Sequence, residues 1–334
     1  MPTLSADQLH QCTTAAFLNA GVPAPDAHLI ADLLLKANLE GHDSHGVVRI
    51  PSYIAGIERG HIRPGAELEI LDETPTSIRL KGNSNFGQVV LTRAAERALE
   101  KSAQAPIAMA TATEYSHCGQ LGSYAQILAA ADRIGLVLLG KQRGAVVPWG
   151  GRQGRLYQNT LALALPTSGT VPLVLDMATS IAPFGKILVK RARNEPCPEG
   201  WLVDAEGNPS TDPHLDFSSG EGGMLPLGHP LAGHKGSGLS FVLGILATAL
   251  SGAGEHREGT LIIAINPATC MPIEDFADEV ERYVDYLHAT PPAPGFDQVL
   301  APGERAYRES RRRREQGIYV EPETWEKIRR LADL

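Results

Sequence analysis

The sequence predicts an α/β fold in which a mixed sheet is covered by helices and further helices lie at both ends of the chain. Short apolar runs alternate with helical patterns between residues 68 and 265, an order typical of α/β layers. Amphipathic helical patterns precede and follow this region. The motif G-x-G-x-x-G is absent from the 334 residues, so the sheet is not expected to be an ordinary Rossmann fold.

Three helices are predicted before the first strand. Ser5 followed by Gln8 is a capping-box pattern, and apolar residues then recur at helical spacing as far as Ala20. A second helix is predicted over Pro25–Gly41, because proline is favoured in a first turn and glycine at a helix end. A third helix is predicted over Ile50–Gly60, with a proline in its first turn.

The rest of the chain alternates between the two periodicities, and the Pro-rich stretch Thr290–Pro294 is the best candidate for a linker. The predicted strands are Leu68–Leu71, Ser77–Leu80, Ile107–Thr111, Gly135–Leu139, Leu161–Leu165, Leu173–Leu175 and Thr260–Ile265. The predicted helices are Gln88–Lys101, Leu121–Arg133, Ala182–Arg191, Lys235–Leu250, Glu274–Leu287, Glu304–Gln316 and Pro322–Leu334.

Charge and composition narrow the function classes. The formal net charge is −8, which argues against nucleic acid or an anionic membrane as the main partner. The basic run Arg311–Arg314 is interpreted as a solvent-exposed helix face. The longest apolar stretch, Leu239–Leu250, is too short to span a bilayer. The four cysteines lie more than 70 residues apart and residues 1–11 lack a secretory leader pattern, so a reduced cytoplasm is expected.

The densest polar cluster is His42-Asp43-Ser44-His45, between two predicted helices. Arg49 and Tyr53 follow at steps of four, which on a helix would place both on one face. An imidazole can donate a proton near neutral pH, and a guanidinium can bind a carboxylate through two hydrogen bonds. The cluster is therefore a candidate site for an oxo acid. It could instead be a turn in which Asp and Ser cap the next helix, or a metal site built on both histidines.

Three further segments could hold a ligand through backbone groups. His117–Gly122 follows a strand and opens a helix, where free amides favour an anion. Gly233–Gly238 opens another helix and carries Lys235, a cation that is misplaced at a helix N-terminus unless an anion accompanies it. Asp176–Ser180 ends a buried strand, and Asp176 could either face a ligand or cap a helix.

Together these segments resemble the family of malate and L-lactate dehydrogenases that lack the Rossmann fold. That family also includes ureidoglycolate dehydrogenase, diketogulonate reductase and Δ1-piperideine-2-carboxylate reductase. The matching segments occur in family order along nearly the whole chain. They are Gly41–Val47 with Arg49 and Tyr53, Leu175–Ser180, Gly185-Lys186, Pro198–Trp201 with Asp212-Pro213, Gly233–Gly236, Pro302–Glu304 and Arg312–Gly317.

The resemblance implies a homodimeric oxidoreductase that moves a hydride between NAD or NADP and a small 2-oxo or 2-hydroxy acid. It implies His45 as the proton donor and acceptor with Ser44 as its partner, and His117 as the other candidate acid. Arg49 and Tyr53 are implied as substrate-binding residues, and Asn159 remains where relatives commonly have Thr-Asn-Pro. The implied cofactor-binding residues are His117, Cys118, Gly119, Gln120, Leu121, Asp176, Met177, Ala178, His234, Lys235, Gly303 and Glu304.

The resemblance also implies how the predicted elements are grouped into domains. Residues 1–105 are expected to form an N-terminal part on the substrate side, and residues 106–289 a non-Rossmann cofactor domain around the mixed sheet. Residues 290–334 are expected to pack back on the N-terminal part as helices of a second domain. Two alternatives remain at this point: reduction of a cyclic imino acid on the same scaffold, and a metal-dependent hydrolase that uses His42 and His45.

Overall fold

The computed structural model describes residues 3–217, 222–254 and 257–333. Its helices are α1 Ala6–Asn19, α2 Ala24–Leu39, α3 Ile50–Glu58, α4 Gly87–Ser102, α5 Gly122–Ala129, α6 Phe184–Ala192, α7 Gly233–Ser251, α8 Ile273–His288, α9 Glu304–Gln316 and α10 Pro322–Leu331. Its strands are β1 Thr3–Leu4, β2 Glu69–Glu73, β3 Ser77–Lys81, β4 Ile107–Thr113, β5 Ile134–Gly140, β6 Thr160–Leu165, β7 Leu173–Ala178, β8 Leu202–Val203, β9 Pro209–Ser210, β10 Gly223–Met224, β11 Gly259–Ile265 and β12 Ile318–Tyr319.

A seven-stranded mixed sheet forms the centre of the molecule, in the order β2-β3-β4-β11-β5-β6-β7. Only β3 and β4 run parallel, and every other neighbouring pair in this sheet is antiparallel. The sheet therefore differs from the parallel sheet of a Rossmann fold. The predicted mixed α/β fold, with helical segments at both ends of the chain, is confirmed.

Helices cover both faces of this sheet, and the alternation of side chains along β5 shows how. Val137 and Leu139 pack in the core cluster formed with α4 and α5. Leu136 and Leu138 point the other way and pack with Leu243 of α7. Successive residues of a strand face opposite sides of a sheet, so a continuous apolar run such as β5 indicates a strand buried on both faces.

The N-terminal and C-terminal helices share one apolar core. Residues of α1, α2, α3 and α10 bury their side chains together, with Phe17 and Ile328 inaccessible to solvent. Strand β1 pairs antiparallel with β12, so that Thr3 lies opposite Tyr319. Helix α9 contacts α2. The capping box predicted at Ser5 is present, with hydrogen bonds in both directions between Ser5 and Gln8.

Several element boundaries differ from the predictions for local reasons. Helix α5 ends at Ala129 rather than at Arg133, because Asp132 adopts a left-handed conformation with φ 58° and turns the chain. Strand β7 continues to Ala178, three residues beyond its predicted end. Helix α10 ends at Leu331, and its predicted terminal residue, Leu334, lies outside the described residues. The three-stranded sheet β10-β8-β9 was not predicted.

Candidate active site

Asn38, a buried residue in the last turn of α2, shapes the polar loop that follows this helix. Its Oδ1 accepts a hydrogen bond from the Val47 amide at 2.8 Å. A Cβ at Gly46 would lie 2.1 Å from the same oxygen, so a larger residue does not fit there. The loop consequently folds as two successive 3₁₀ turns, Asp43–His45 and Val47–Arg49.

This loop geometry bears on two expectations from the cluster. His45 lies on a separate 3₁₀ turn, whereas Arg49 directly precedes α3 in a helical conformation, four residues before Tyr53. Neither Asp43 nor Ser44 caps the following turn or α3, since those N-termini receive no side-chain hydrogen bond. The cluster is thus not a simple capping turn.

Asp43 is held by Arg313 of α9. Arg313 donates from Nη1 to Asp43 Oδ1 at 2.6 Å and from Nη2 to Oδ2 at 3.0 Å. The same guanidinium donates to the carbonyl oxygen of Asn38 at 2.6 Å and to Glu309 Oε1 at 2.5 Å. The bidentate pair ties the loop to the C-terminal helices. The interpretation of Arg311–Arg314 as a solvent-exposed face is wrong for Arg313, whose side chain is only 15% exposed.

We expect Arg313→Met to loosen this loop without removing any group that faces the candidate site. Loss of charged hydrogen bonds worth ~1.5–3 kcal/mol each should lower both the unfolding midpoint and kcat. Arg312→Met is the matched control, because Arg312 is exposed and its hydrogen bonds among the described residues go to Glu309 and Gln316 of its own helix. Thermal unfolding and steady-state kinetics on both variants check this; equal effects from the two substitutions would contradict the role of Arg313.

His45 and His117 form the centre of the site. Their rings stack with centroids 5.6 Å apart and an interplanar angle of 21°. His45 Nδ1 lies 3.1 Å from Ser44 Oγ. His117 Nδ1 lies 2.7 Å from the hydroxyl oxygen of Tyr53, which reaches it from α3. The structure thus brings together four residues that the sequence singled out at two separate places in the chain.

Burial lowers the pKa values of both histidines. The pKa of His45 falls to about 4, because its ring is desolvated and because the charges of Arg49 and His42 oppose protonation. The pKa of His117 falls to about 3 for the same kinds of reason, with Arg49 and His45 as the nearby groups. The free site therefore holds two neutral imidazoles at neutral pH, which corrects the expectation of an imidazole that titrates close to pH 7.

Arg49 lies beside the two histidines, and part of its guanidinium is hydrogen-bonded within the protein. Its Nε donates to the carbonyl oxygen of Ser44 at 2.7 Å. Within residues 3–217, 222–254 and 257–333, no hydrogen bond or ion pair occupies its Nη atoms. A half-buried guanidinium with free N–H groups can bind a carboxylate, and a bound carboxylate would also offset the charge that lowers the histidine pKa values.

A cavity of about 800 Å³ adjoins the two histidines. It combines the His42–His45 loop, the segment 117–121, the end of β7 and the beginning of α6. A Cβ at Gly185 would lie 3.0 Å from Ser44 Cβ, so α6 begins directly against the His42–His45 loop. The sequence-predicted residues that line the cavity are Ser44, His45, His117, Cys118, Gly119, Gln120, Leu121, Asp176, Met177 and Ala178.

Asp176 connects the cavity to the start of α5. Its Oδ2 accepts a hydrogen bond from the Gly122 amide, in the first turn of α5, at 2.6 Å. The sequence left open whether Asp176 faces a ligand or caps the helix that follows it. That helix, α6, follows Pro183 and receives no side-chain cap, and Asp176 instead binds α5 while it also borders the cavity. Burial raises the pKa of this carboxyl to about 6. The Gly122 amide, expected to be free for an anion, is occupied by this side chain.

A smaller cavity of about 160 Å³ lies next to the large one and shares Gln120, Asp176 and Arg305 with its lining. Gln120 is buried and donates from Nε2 to Glu40 at 2.6 Å, while its Oε1 has no partner. Gly303 borders this cavity, and a Cβ there would lie 2.4 Å from the carbonyl oxygen of Pro172. Pro172 and the positive φ of 97° thus explain the glycine at 303, while the unpartnered Oε1 of Gln120 is a group in this cavity wall that could accept a hydrogen bond from a ligand.

Other predicted site residues lie away from the cavity wall. Asn159 is buried, accepts from the Lys141 amide at 2.9 Å and donates to the carbonyl oxygen of Ser240 at 2.7 Å. Its side chain thereby joins β6 to α7. His234 and Lys235 are exposed at the beginning of α7. Glu304 is buried and binds its own loop and His288, and Tyr53 reaches the site only through His117.

The residue contacts leave little support for a metal centre at His42 and His45. Both oxygens of Asp43, their expected companion ligand, are bound by Arg313. Among the residues that the structure describes, no group of three or more His, Cys, Asp or Glu side chains is placed to hold a metal ion. The described ranges also contain no helix that combines the length and apolarity needed to cross a bilayer.

Sequence reasoning missed several residues of the site. Gln88 of α4 donates to the Tyr53 hydroxyl at 2.9 Å, and Arg313 holds the loop from more than 250 residues away. Arg305 and Glu258 line the cavity. No short-range pattern marks Gln88, Glu258 or Arg313, because each enters the site through tertiary packing. Arg305 directly follows the predicted Gly303-Glu304 pair, and that adjacency was a usable signal.

Comparison with known proteins identifies the family. A model of the malate/L-lactate dehydrogenase family matches residues 4–329. The chain belongs to this family. A malate dehydrogenase of Pyrococcus abyssi is 33% identical over 98% of this chain and 93% of its own length. Hydroxycarboxylate dehydrogenase B of Escherichia coli O157:H7 is 33% identical over 97% of this chain and 91% of its own.

Solved structures of family members superpose over nearly the whole chain. A malate dehydrogenase from Entamoeba histolytica has a TM-score of 0.95 at 28% identity and covers 99% of this chain and 97% of its own. A delta1-piperideine-2-carboxylate reductase from Pseudomonas syringae has a TM-score of 0.86 at 26% identity, over 99% and 100% of the two chains. The resemblance inferred from the motifs is confirmed, and this family member is an oxidoreductase of the malate/lactate dehydrogenase type.

Proposed function

We propose that this enzyme transfers a hydride between NAD or NADP and a small 2-oxo or 2-hydroxy carboxylic acid. The observation that carries the proposal is the pair of stacked neutral imidazoles at the wall of one cavity, with the partly hydrogen-bonded guanidinium of Arg49 close enough for its charge to act on both rings. A carboxylate clamp next to a proton donor is the combination that reduction of a 2-oxo acid requires.

In the proposed reduction, Arg49 holds the substrate carboxylate and His45 gives its proton to the carbonyl oxygen as negative charge develops there. Ser44 lies at His45 Nδ1, which leaves Nε2 as the nitrogen for the substrate. The Ser44 hydroxyl can accept from Nδ1–H when the ring is protonated, and so stabilises the imidazolium. In oxidation the neutral ring takes the proton back. The nicotinamide, when bound, supplies or accepts the hydride.

The cavity residues fit a dinucleotide. We propose that His117–Leu121, Asp176–Ala178 and the bare backbone at Gly303 contact the cofactor along the two connected cavities. The unpartnered Oε1 of Gln120 can accept a hydrogen bond there. Lys235 and His234 are proposed to meet the phosphates where α7 begins, since exposed amides at a helix N-terminus favour an anion. Glu304 and Asn159 are proposed to support the residues that line the cavity without contacting the ligand themselves. Tyr53 is proposed to act through its hydrogen bond to His117.

The pH dependence of the two directions should differ. Oxidation needs neutral His45, which predominates above its pKa of about 4, so kcat/KM for oxidation should be flat from pH 5 to 8. Reduction needs the protonated form, so kcat/KM for reduction should fall about tenfold per pH unit over the same range. In kcat for reduction the apparent pKa should lie higher, because the bound carboxylate offsets the charge of Arg49. Parallel profiles for both directions would contradict this assignment.

A panel of 2-oxo acids tested with both reduced cofactors checks the proposed activity. The panel includes pyruvate, oxaloacetate, sulfopyruvate and the cyclic imine Δ1-piperideine-2-carboxylate. The imine is included because the Pseudomonas syringae reductase shares the fold at a TM-score of 0.86. Oxidation of the cofactor with an oxo acid supports the dehydrogenase, whereas turnover of the imine alone would favour the ketimine reductase. Turnover of neither would overturn the proposal.

The proposed functional unit is a homodimer in a reduced compartment such as the cytoplasm. Helix α7 exposes an apolar surface that carries no charge beyond its first turn, which favours a second copy as the covering partner. Its exposed side chains are Leu239, Phe241, Val242, Ile245, Leu246 and Leu250. All four cysteines are free thiols. Sedimentation equilibrium tests the dimer: a mass of 35.7 kDa, that of one chain, would contradict it.

A further inference from the structure

A chain of hydrogen bonds runs from α4 to the imidazole of His117. Gln88 Nε2 lies 2.9 Å from the hydroxyl oxygen of Tyr53, and this oxygen lies 2.7 Å from His117 Nδ1. The Gly119 amide also points at His117 Nδ1, at 3.2 Å. Gln88 is wholly inaccessible to solvent and Tyr53 is buried, while His117 is half-buried at the edge of the cavity.

The directions of these hydrogen bonds follow from the donors that cannot be reversed. The Gln88 amide donates to the Tyr53 oxygen, which directs the Tyr53 hydroxyl proton at His117 Nδ1, and the Gly119 amide, at the longer distance of 3.2 Å, is a weaker donor to the same nitrogen. His117 Nδ1 is then an acceptor and carries no proton. A neutral imidazole whose Nδ1 is an acceptor bears its proton on Nε2, the nitrogen that points away from Tyr53.

Packing alone does not explain a glutamine at this position. Within the part of the chain that the structure describes, its amide makes one hydrogen bond, to Tyr53, and its Oε1 is buried without a partner. A buried polar atom without a partner destabilises the fold, and methionine would fill a similar volume without that penalty. The one interaction that Gln88 makes is thus the one that directs the Tyr53 hydroxyl.

We propose that Gln88 is a positioning residue which, through Tyr53, holds His117 as the tautomer with its proton on Nε2. His117 then offers the substrate carbonyl oxygen a neutral N–H hydrogen bond, while His45 supplies the proton. The proposal rests on the proposed function, in which the substrate binds in the cavity that both rings line. A fixed neutral donor aimed at developing charge stabilises a transition state without being consumed.

The direct test is the protonation state of His117 in the free enzyme, read from the nitrogen-15 shifts of its ring with labelled histidine. The His117 signals among the 11 histidines are assigned by their loss in His117→Asn. We expect the wild type to carry its proton on Nε2 alone. Gln88→Met should move the two nitrogen shifts towards each other, because Tyr53 can then accept as well as donate. A wild-type proton on Nδ1, or unchanged shifts in Gln88→Met, would overturn the proposal.

Thr92→Val is the matched control. Thr92 lies one turn after Gln88 on the same buried face of α4, and its Oγ1 is also without a partner. This variant should leave the His117 shifts and kcat as in the wild type. Tyr53→Phe should reproduce the shift change of Gln88→Met, and the double variant should add little to either single one. If Gln88→Met fails to fold, the wild-type and Tyr53→Phe spectra still decide.

Kinetics then connect the tautomer to catalysis. Gln88→Met should lower kcat for reduction about tenfold and leave KM for the acid within about twofold, as for a hydrogen bond that strengthens in the transition state. A loss confined to stability, with kcat unchanged, would overturn the catalytic part. The spectra need no substrate or cofactor, so an enzyme that reduces no 2-oxo acid overturns the proposed function and leaves the tautomer result to stand or fall separately.

Discussion

His45→Asn is expected to lower kcat by about 10²–10⁴ in both directions, the usual contribution of a positioned general acid or base. Asparagine keeps a polar side chain in the loop but cannot carry the proton between substrate and solvent. His45 is the candidate because it borders the cavity, Ser44 holds its Nδ1, and Arg49 lies four residues further along the same loop. Steady-state kinetics with a saturating acid measure the effect, and a cofactor titration should show nearly unchanged affinity.

His117→Asn separates this assignment from its rival. His117 is expected to contribute a neutral hydrogen bond and a contact with the cofactor, so its loss should weaken cofactor binding as well as lower kcat. It should leave the pH profile of reduction in place, because the titrating group is still His45. If instead His117→Asn abolishes the pH dependence and His45→Asn preserves it, the acid is His117 and the two roles are exchanged.

Arg49→Lys is expected to raise KM for the 2-oxo acid by about 10–10²-fold, the equivalent of one charged hydrogen bond of ~1.5–3 kcal/mol. Lysine keeps the charge but cannot present two parallel N–H groups to a carboxylate. It also cannot reproduce the Nε bond to the carbonyl oxygen of Ser44, at 2.7 Å. Initial rates across acid concentrations measure KM, and fluorescence of the bound reduced cofactor measures cofactor affinity, which should not change.

The matched comparison for Arg49 is between substrates rather than between variants. The wild type should discriminate strongly between a 2-oxo acid and its amide, because the amide lacks the charge that Arg49 binds. Arg49→Lys should lose most of that discrimination. A wild-type enzyme that reduces acid and amide equally well would remove Arg49 from substrate binding, whatever its effect on stability.

Much of the fold could be predicted from the sequence, because its strands and helix ends depend on patterns among residues that are close together in the chain. Period-two and continuous apolar runs predicted all seven strands of the central sheet, and the capping box at Ser5 predicted where α1 begins. Two-residue strands such as β8 and β12 were not predicted, because a strand of two residues is too short to show a periodic pattern. The early end of α5 was not predicted either, because no pattern in the sequence marks Asp132 as a residue with a left-handed conformation.

The candidate site was predictable where its residues are adjacent in sequence and not where they meet in space. Ser44, His45 and Arg49 stood out as one dense cluster, and His117 stood out at a helix start. The stacking of His45 on His117 and the depressed pKa values depend on burial that no spacing encodes. Gln88 looked like an ordinary helix residue, and only the Tyr53 hydroxyl next to it gives it a role.

Transfer of deuterium from the cofactor tests the proposed reaction most directly. The enzyme is incubated with a 2-oxo acid and a reduced nicotinamide cofactor carrying deuterium at both positions of C4, in ordinary water. Proton NMR and mass spectrometry of the product should find one deuterium bonded to C2 of the 2-hydroxy acid, and ordinary hydrogen on its hydroxyl oxygen. A hydroxy acid without deuterium at C2, or no hydroxy acid from any member of the panel with either cofactor, would contradict hydride transfer by this site.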